Sequence, residues 1–330
     1  MANILILGAG SMGAAFSFPC SDNNHSVSIV GTHLENNFID EINSGKRHPI
    51  LKCQLNQKVK FLKFDKLLEE MAKKIDLIVI AVSSKGIQWV SNELAKVLKS
   101  KIPILILTKG LSIHNGKYEI LANKVKRILK EKGVNDIDVT AVGGPCLAGA
   151  LAKKTHTSVV IANENSKILN QIKKLISTDY YHVFTSNDLI GVEICAAIKN
   201  IFAMAVGSSI HQNTAAALFQ QSINEMIIFT EKLNGKKDTV VGLAGIGDLF
   251  VSIKGGRNSR MGQYLGQGLK FSEAKKTKMP NDTVEGADLA KEIGKKIKSD
   301  FDSKTTPLML SMIDTICDDV SLKFDWENFK

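Results

Sequence analysis

Gly8-Ala9-Gly10-Ser11-Met12-Gly13 stands directly behind the apolar run Asn3–Leu7. A strand that ends in this spacing of glycines has few folds open to it. Gly8 permits a tight turn, Gly10 lets backbone approach a pyrophosphate, and Gly13 lets the following helix pack closely on the strand. A helix opening at such a turn offers its first N–H groups to phosphates. Glycine turns alone are common. Here the turn lies between a strand and a helical segment, with a second apolar run, Val27–Val30, at the right distance, and that context points to a dinucleotide.

The next segments repeat the theme. Ile75–Val82, Ile102–Leu107, Asp138–Val142, Thr157–Ile161 and His182–Thr185 read as further strands. Several are nearly unbroken Val, Ile and Leu, as strands covered on both faces must be. Asp65–Lys73, Ser84–Leu98, Lys117–Lys132 and Ser166–Ile176 carry helical periodicity between them, the first two opening on capping residues. Strand and helix in alternation imply a doubly wound sheet with helices on both faces. After Asn187 the texture changes to helices alone: Leu189–Val206, Thr214–Leu233, Asn258–Gly266, Val284–Ile297 and Pro307–Val320. At 330 residues the chain is long for a single core. The expected fold is an α/β dinucleotide-binding domain over 1–187, followed by an all-α substrate domain over 188–330.

The residue after the second strand ordinarily reports the cofactor, an acid for ribose hydroxyls or a base for a 2′-phosphate. Gly31-Thr32-His33 stands there, with no acid until Glu35. Thr32 suits either cofactor and His33 can assist a phosphate, so the segment leans to NADP over NAD.

A net charge of +10 asks for an anionic partner, a nucleic acid or a small phosphorylated ligand. Aromatics make up only 6%, and no RNP, zinc-finger or helix-turn-helix pattern appears, which excludes nucleic acid as the working reading. Much of the excess is lysine on helix faces. Five cysteines and seven histidines are scattered without metal-ligand or disulfide spacing. No metal is expected, and free thiols suit the reducing cytoplasm. The N-terminus has no basic segment before its apolar run, unlike a signal peptide. The most apolar stretch, Ile190–Val206, contains Glu193, Lys199 and Asn200, which argues against a membrane span.

Hydride transfer to a carbonyl needs a proton donor at its oxygen. Lys199 lies in a small-residue, apolar helical segment, Gly191–Phe202. Burial there costs several kcal/mol unless the ammonium meets a cavity or partner, and it moves a lysine toward acid/base duty. By itself the same residue could equally snorkel to the surface. Two other segments weigh toward chemistry. Lys109 follows the strand Ile102–Leu107, and Gly143-Gly144-Pro145-Cys146 follows the next, both at the sheet edge where open α/β sheets bind ligands. Gly242–Leu249 then leads to Gly255-Gly256-Arg257-Asn258 at a helix start, where backbone donors, dipole and guanidinium together suit an anion.

With these motifs in one order, the chain resembles the NAD(P)-dependent glycerol-3-phosphate dehydrogenases over essentially its whole length. The landmarks are residues 8–13, Thr-Lys-Gly-Leu at 108–111, Gly-Pro at 144–145, Gly-Val-Glu…Lys-Asn at 191–200, Gly-Leu-Ala-Gly-Ile-Gly-Asp-Leu at 242–249, Gly-Gly-Arg-Asn at 255–258 and Val-Glu-Gly at 284–286. The resemblance implies a Rossmann-type N-terminal domain, a helical C-terminal domain and a homodimer that interconverts dihydroxyacetone phosphate and glycerol 3-phosphate. It makes Lys199 the general acid/base, Lys109 a polarising and cofactor-positioning group, and Asp248 the partner of substrate or of Lys199. Asn200 and Arg257 would grip the phosphate, with Gly144, Ser252, Gly256 and Asn258 completing the substrate contacts. Ser11, Met12, Ala148, Arg257 and Glu285 would touch the dinucleotide. The chain departs from common members at Ser83-Ser84, where Pro-Ser is usual, and at Cys146-Leu147, where a hydroxyl residue and Phe are frequent. The alternative is a reductase of a β-hydroxy or 2-keto acid. Such enzymes share the glycine turn and a helical lysine, but carry their Asn a turn after it and need no phosphate grip at Arg257.

Overall fold

A computed structural model describes all residues, 1–330. The chain clusters into two units, Met1–Lys109 with Leu121–Leu189, and Gly110–Ile120 with Ile190–Lys330.

The first unit is built on the buried Val, Ile and Leu runs. Strands β1 (Asn3–Leu7), β2 (Ser26–Val30), β3 (Lys60–Leu62), β4 (Leu77–Ile80) and β5 (Ile104–Ile106) come first in the chain. The hairpin β6 (Leu111–His114) and β7 (Lys117–Ile120) follows, then β8 (Val139–Gly143), β9 (Thr157–Ala162) and β10 (Tyr181–Ser186). Eight of these form one sheet in the order β10-β9-β8-β5-β4-β1-β2-β3. Pairing is parallel throughout except between β8 and β9, so the sheet is mixed at that side. Its order reverses at β1, between β4 and β2, and the glycine turn sits at the carboxyl end of β1. In open α/β sheets that reversal is where ligands bind.

Helices α1 (Ser11–Asp22), α2 (Asn36–Asn43), α3 (Leu67–Met71), α4 (Ile87–Val97), α5 (Leu121–Glu131), α6 (Ala148–Ala152) and α7 (Ser166–Ile176) connect the strands. The expected helix over 117–132 begins later, because Lys117–Ile120 pairs instead with Leu111–His114 across an Asn115-Gly116 turn. Both turn residues have positive φ, the geometry that Asn-Gly favours.

In the second unit the hairpin is joined by α8 (Leu189–Gly207), α9 (Gln212–Lys232), α10 (Lys237–Val240), α11 (Asp248–Ile253), α12 (Arg257–Gly266), α13 (Phe271–Thr277), α14 (Glu285–Asp300) and α15 (Pro307–Cys317). No strand follows β10, as the sequence pattern implies. Helix α8 is long and apolar enough to cross a membrane by composition, yet it is mostly buried as the core helix of this unit. Glycines set its neighbours close. A Cβ on Gly262 of α12 would collide with the Met204 carbonyl, and one on Gly286 of α14 with the Asn200 carbonyl. These two helices therefore meet the backbone of α8 directly, α14 at Asn200 beside Lys199 and α12 one turn further on at Met204.

Candidate active site

In the first unit the glycine turn has the geometry a dinucleotide needs. Gly8 has φ +108°, and a Cβ there would lie 2.8 Å from the Ala81 carbonyl oxygen at the end of β4. A Cβ on Gly13 would run into the Gly8 carbonyl, so α1 can lie close on β1 only with glycine at 13. Over Gly10 the space is open: a Cβ would meet only a Glu35 carboxylate oxygen, at 3.7 Å. No side chain caps α1, whose first residues are Ser11 and Met12. The turn thus fits a pyrophosphate at a helix N-terminus.

Beside it, Met12, Phe16, Lys109, Gly144, Cys146 and Tyr181 line one cleft. Lys109 emerges just beyond β5, and its Nζ donates to the Gly144 carbonyl at 3.4 Å. The preceding residue anchors it, since the Thr108 hydroxyl donates to the Val82 carbonyl at 2.6 Å. Ala148 begins α6, which packs on α1. Lys109, Gly144 and Met12, chosen separately from the sequence, are thus brought to one cleft.

Two residues outside the glycine motif hold the turn. The peptide of Ala9, between Gly8 and Gly10, is bound on both sides. Its N–H donates to Glu35 Oε2 at 3.1 Å, and its carbonyl accepts from His48 Nε2 at 3.1 Å. His48 Nδ1 accepts from the backbone N–H of Leu51 at 3.1 Å and of Ile50 at 3.3 Å, which leaves the proton on Nε2. Burial holds this imidazole below its ordinary pKa, hence neutral. Thr32, expected to meet the cofactor, gives its own N–H to Glu35 Oε2 at 2.7 Å. Glu35 was visible in the sequence as the first acid after β2. For His48 no local signal existed, because its partner is 39 positions away.

In the second unit the chemistry gathers where α11 meets α8. Lys199 is 6% exposed and Asp248 1%. They form an ion pair, and Lys199 Nζ also donates to Ser252 Oγ at 2.7 Å. The Ser252 hydroxyl in turn donates to the Asp248 carbonyl at 2.7 Å, one turn back along α11. A π-helical turn, Leu243–Gly247, delivers Asp248 to the start of α11. This motif, noted for its glycines, therefore sets the place of a carboxylate. A buried ammonium held by a carboxylate and a hydroxyl can carry a proton at a fixed point without being left uncompensated.

Next to Lys199, the Asn200 amide is oriented by a relay. The Gly286 N–H donates to Asn258 Oδ1 at 2.9 Å, and Asn258 Nδ2 donates to Asn200 Oδ1 at 3.0 Å. A backbone N–H can only donate, so it fixes the direction of both amides and leaves the Asn200 NH₂ outermost. At the start of α12, behind Gly256 with φ +106°, Arg257 forms an ion pair with Glu285 at the start of α14. Their side chains are 48% and 40% exposed, so the guanidinium stays open to a ligand. No cluster of three or more His, Cys, Asp or Glu able to hold a metal ion is present.

Comparison with known proteins places this geometry among relatives. The family model described as the N-terminus of NAD-dependent glycerol-3-phosphate dehydrogenase matches residues 3–169, and its C-terminal counterpart matches 188–323. The chain is 32% identical over 283 residues to an NADP(+)-dependent glycerol-3-phosphate dehydrogenase of Archaeoglobus fulgidus, covering 82% of each chain. It is 33% identical over 278 residues to a glycerol-3-phosphate dehydrogenase [NAD(P)+] of Clostridium tetani, covering 82% of this chain and 76% of that one. Among solved structures, the glycerol-3-phosphate dehydrogenase of Coxiella burnetii superposes with TM-score 0.83 at 25% identity, covering 97% and 96% of the two chains. That of Plasmodium falciparum superposes with TM-score 0.86 at 19% identity, over 99% and 95%, a likeness of fold. The two family models together account for nearly the whole sequence, and the chain belongs to the NAD-dependent glycerol-3-phosphate dehydrogenase family.

Proposed function

We propose that this protein interconverts dihydroxyacetone phosphate and glycerol 3-phosphate, with a nicotinamide dinucleotide as the redox partner. Support comes first from one observation, the buried Lys199–Asp248 pair with Ser252 on the ammonium. In the reductive direction Lys199 gives a proton to the carbonyl oxygen as it becomes an alcohol, and in the oxidative direction it takes that proton back. Asp248 holds and aims the ammonium, and Ser252 fixes its second donor direction. Lys109 polarises the carbonyl. The phosphate is held by the Asn200 NH₂ and by the Arg257 guanidinium with the N–H groups behind Gly256, while Asn258 keeps Asn200 turned outward. The phosphate grip favours this reading over a reductase of unphosphorylated hydroxy or keto acids.

Gly8, Gly10 and Gly13, with the first amides of α1 at Ser11 and Met12, would hold the pyrophosphate, and Ala148, Arg257 and Glu285 complete the cofactor contacts. When bound, the reduced nicotinamide supplies the hydride. The leaning to NADP rests on Thr32 and His33, and Glu35 weighs against it. Residues 1–187 are proposed as the dinucleotide domain and 188–330 as the substrate domain. We place the protein in the cytoplasm as a homodimer, where five free thiols are at home.

The deciding measurement follows NADH and NADPH oxidation with dihydroxyacetone phosphate and with unphosphorylated dihydroxyacetone. The phosphorylated compound is expected to be preferred by orders of magnitude. Lys199→Ala should retain dinucleotide binding and lose turnover by about 10²-fold to 10⁴-fold, the usual weight of a general acid. Equal use of both compounds, or full turnover in that variant, would sink the assignment.

A further inference from the structure

Cys146 and Tyr181 line the same cleft as Met12, Phe16 and Lys109. Tyr181 opens β10 and is held from both sides. Its N–H donates to Thr178 Oγ1 at 2.9 Å, and its carbonyl accepts from the Thr178 N–H at 3.1 Å. Its ring stands edge-on to Phe16, with centroids 6.0 Å apart. The residue is 1% exposed, yet its hydroxyl makes no hydrogen bond within the protein. A buried O–H left without an acceptor costs about 1–3 kcal/mol. Here the unmet donor belongs to a cleft wall, so it is provided for something that enters the cleft. Burial, and after it the nearby Cys146 sulfur, holds the phenol well above its ordinary pKa, so it keeps its proton.

Cys146 is partly exposed, in the loop that follows β8. The Lys109 ammonium reaches that loop at the Gly144 carbonyl, 3.4 Å away and two residues before the thiol. A cation in the same cleft favours the thiolate, the reactive form of cysteine. The other four thiols lack this setting. Cys20 and Cys195 are fully buried. Burial pushes up the Cys20, Cys53 and Cys317 thiols, and Cys317 Sγ donates to the Ala290 carbonyl at 3.4 Å. Oxidation follows thiolate character and access, and both single out Cys146.

We propose that Cys146 is an oxidation site for small hydroperoxides, that the Tyr181 hydroxyl holds the peroxide, and that oxidation closes the cleft. Only the closing of the cleft rests on its reading as the dinucleotide site. With hydrogen peroxide, the thiolate sulfur attacks one oxygen, an S–O bond forms as the O–O bond breaks, and the other oxygen leaves as hydroxide. That hydroxide takes a proton from solvent and becomes water. Sulfur gives up two electrons, the peroxide gains them, and Cys146 is left as a sulfenic acid. Tyr181 donates first to the peroxide and then to the sulfenic oxygen. A low-molecular-weight thiol condenses with the sulfenic acid and releases water. A second such thiol attacks the mixed disulfide and restores Cys146. Either adduct stands beside Met12 and Lys109, in the space a dinucleotide needs.

The test exposes the full chain to hydrogen peroxide with dimedone present to trap sulfenic acid, and locates the label by peptide mass spectrometry. Cys146 is expected to label at least about tenfold faster than Cys53 or Cys317. Tyr181→Phe removes only the hydroxyl and should slow that labelling by about threefold to tenfold, the weight of one hydrogen bond. Without dimedone, turnover of the wild type should fall with exposure and return with dithiothreitol, while Cys146→Ser holds its own starting rate. Labelling led by Cys53 or Cys317, or Cys146→Ser inactivated as fast as the wild type, overturns the inference. An unaltered rate in Tyr181→Phe overturns the role given to Tyr181. NADH should protect Cys146. Fast labelling that NADH leaves unchanged supports the thiol site and counts against the dinucleotide reading of the cleft. The label reports on the thiol even if dihydroxyacetone phosphate proves not to be reduced.

Discussion

The relay from Gly286 through Asn258 to Asn200 turns a backbone N–H into a constraint on a side chain that is expected to meet phosphate. Replacing Asn258 by Asp leaves the acceptor for Gly286 but puts a second acceptor against Asn200 Oδ1. The Asn200 amide must then flip, presenting oxygen where a phosphate needs NH₂. Asn258→Asp is expected to raise the KM for dihydroxyacetone phosphate by roughly tenfold, with smaller change in kcat and none in dinucleotide affinity. An unmoved KM would mean that the relay is only structural. At this scale the sequence was readable where chemistry is unusual for its setting. Lys199 in an apolar helix and Arg257 behind two glycines stood out by residue type. Glu35 and His48 did not, because an acid in a loop and a histidine near a proline are ordinary. Only the folded path brings them to the two sides of one peptide.

Among the elements, α15 is held by a remote cap. Pro307 opens the helix, no local side chain caps it, and the Leu308 and Met309 N–H groups donate to the Glu225 carboxylate of α9 at 2.7 and 2.6 Å. The Gln221 amide adds a third donor at 2.9 Å. Burial outweighs these bonds and pushes the Glu225 carboxyl up to about 7. In the unfolded chain it ionises near the ordinary value of about 4.3. Between these two values the native state binds a proton that the unfolded state has released. The contribution of Glu225 is therefore full at acid pH and declines as pH rises through about 7, a loss on the order of 3 kcal/mol. Glu225→Gln should flatten the fall in Tm across that window while weakening the helix cap. An identical pH profile in the variant would show that Glu225 does not titrate there.

The elements themselves were legible where one physical signal dominated. Seven strands and the long C-terminal helices were expected near their observed positions, since buried β-branched runs and 3.6-residue periodicity leave little choice. The short edge strand Lys60–Leu62, the helices α10, α11 and α13, and the π turn before Asp248 were missed. Each is too short for periodicity to register. Lys117–Ile120 was misread because its residues continue a helical pattern downstream, and the competing hairpin is defined by a two-residue turn.

For the whole molecule, the charge of +10 is a long-range property that no single contact explains. A phosphorylated substrate approaching such a surface is steered, and salt screens that attraction. As ionic strength rises from about 0.01 M to about 0.1 M the screening length falls from about 30 Å to about 10 Å. kcat/KM for dihydroxyacetone phosphate should fall several-fold over that range with kcat nearly constant. A flat response would make the excess lysine a matter of solubility alone.

The hairpin β6–β7 lies early in the chain yet clusters with the helical unit, where β6 packs on α14 and the Tyr118 ring stands edge-on to Phe229 at 5.3 Å. The polypeptide therefore passes from one unit to the other three times, after Lys109, Ile120 and Leu189. A gene fragment ending at Asn187 would encode Leu111 and Ile120 without the surfaces that bury them, and the complementary fragment would be missing a piece of its own interior. Neither half holds all of its own interior, so an exchange of the helical unit between two such chains should carry Gly110–Ile120 with it.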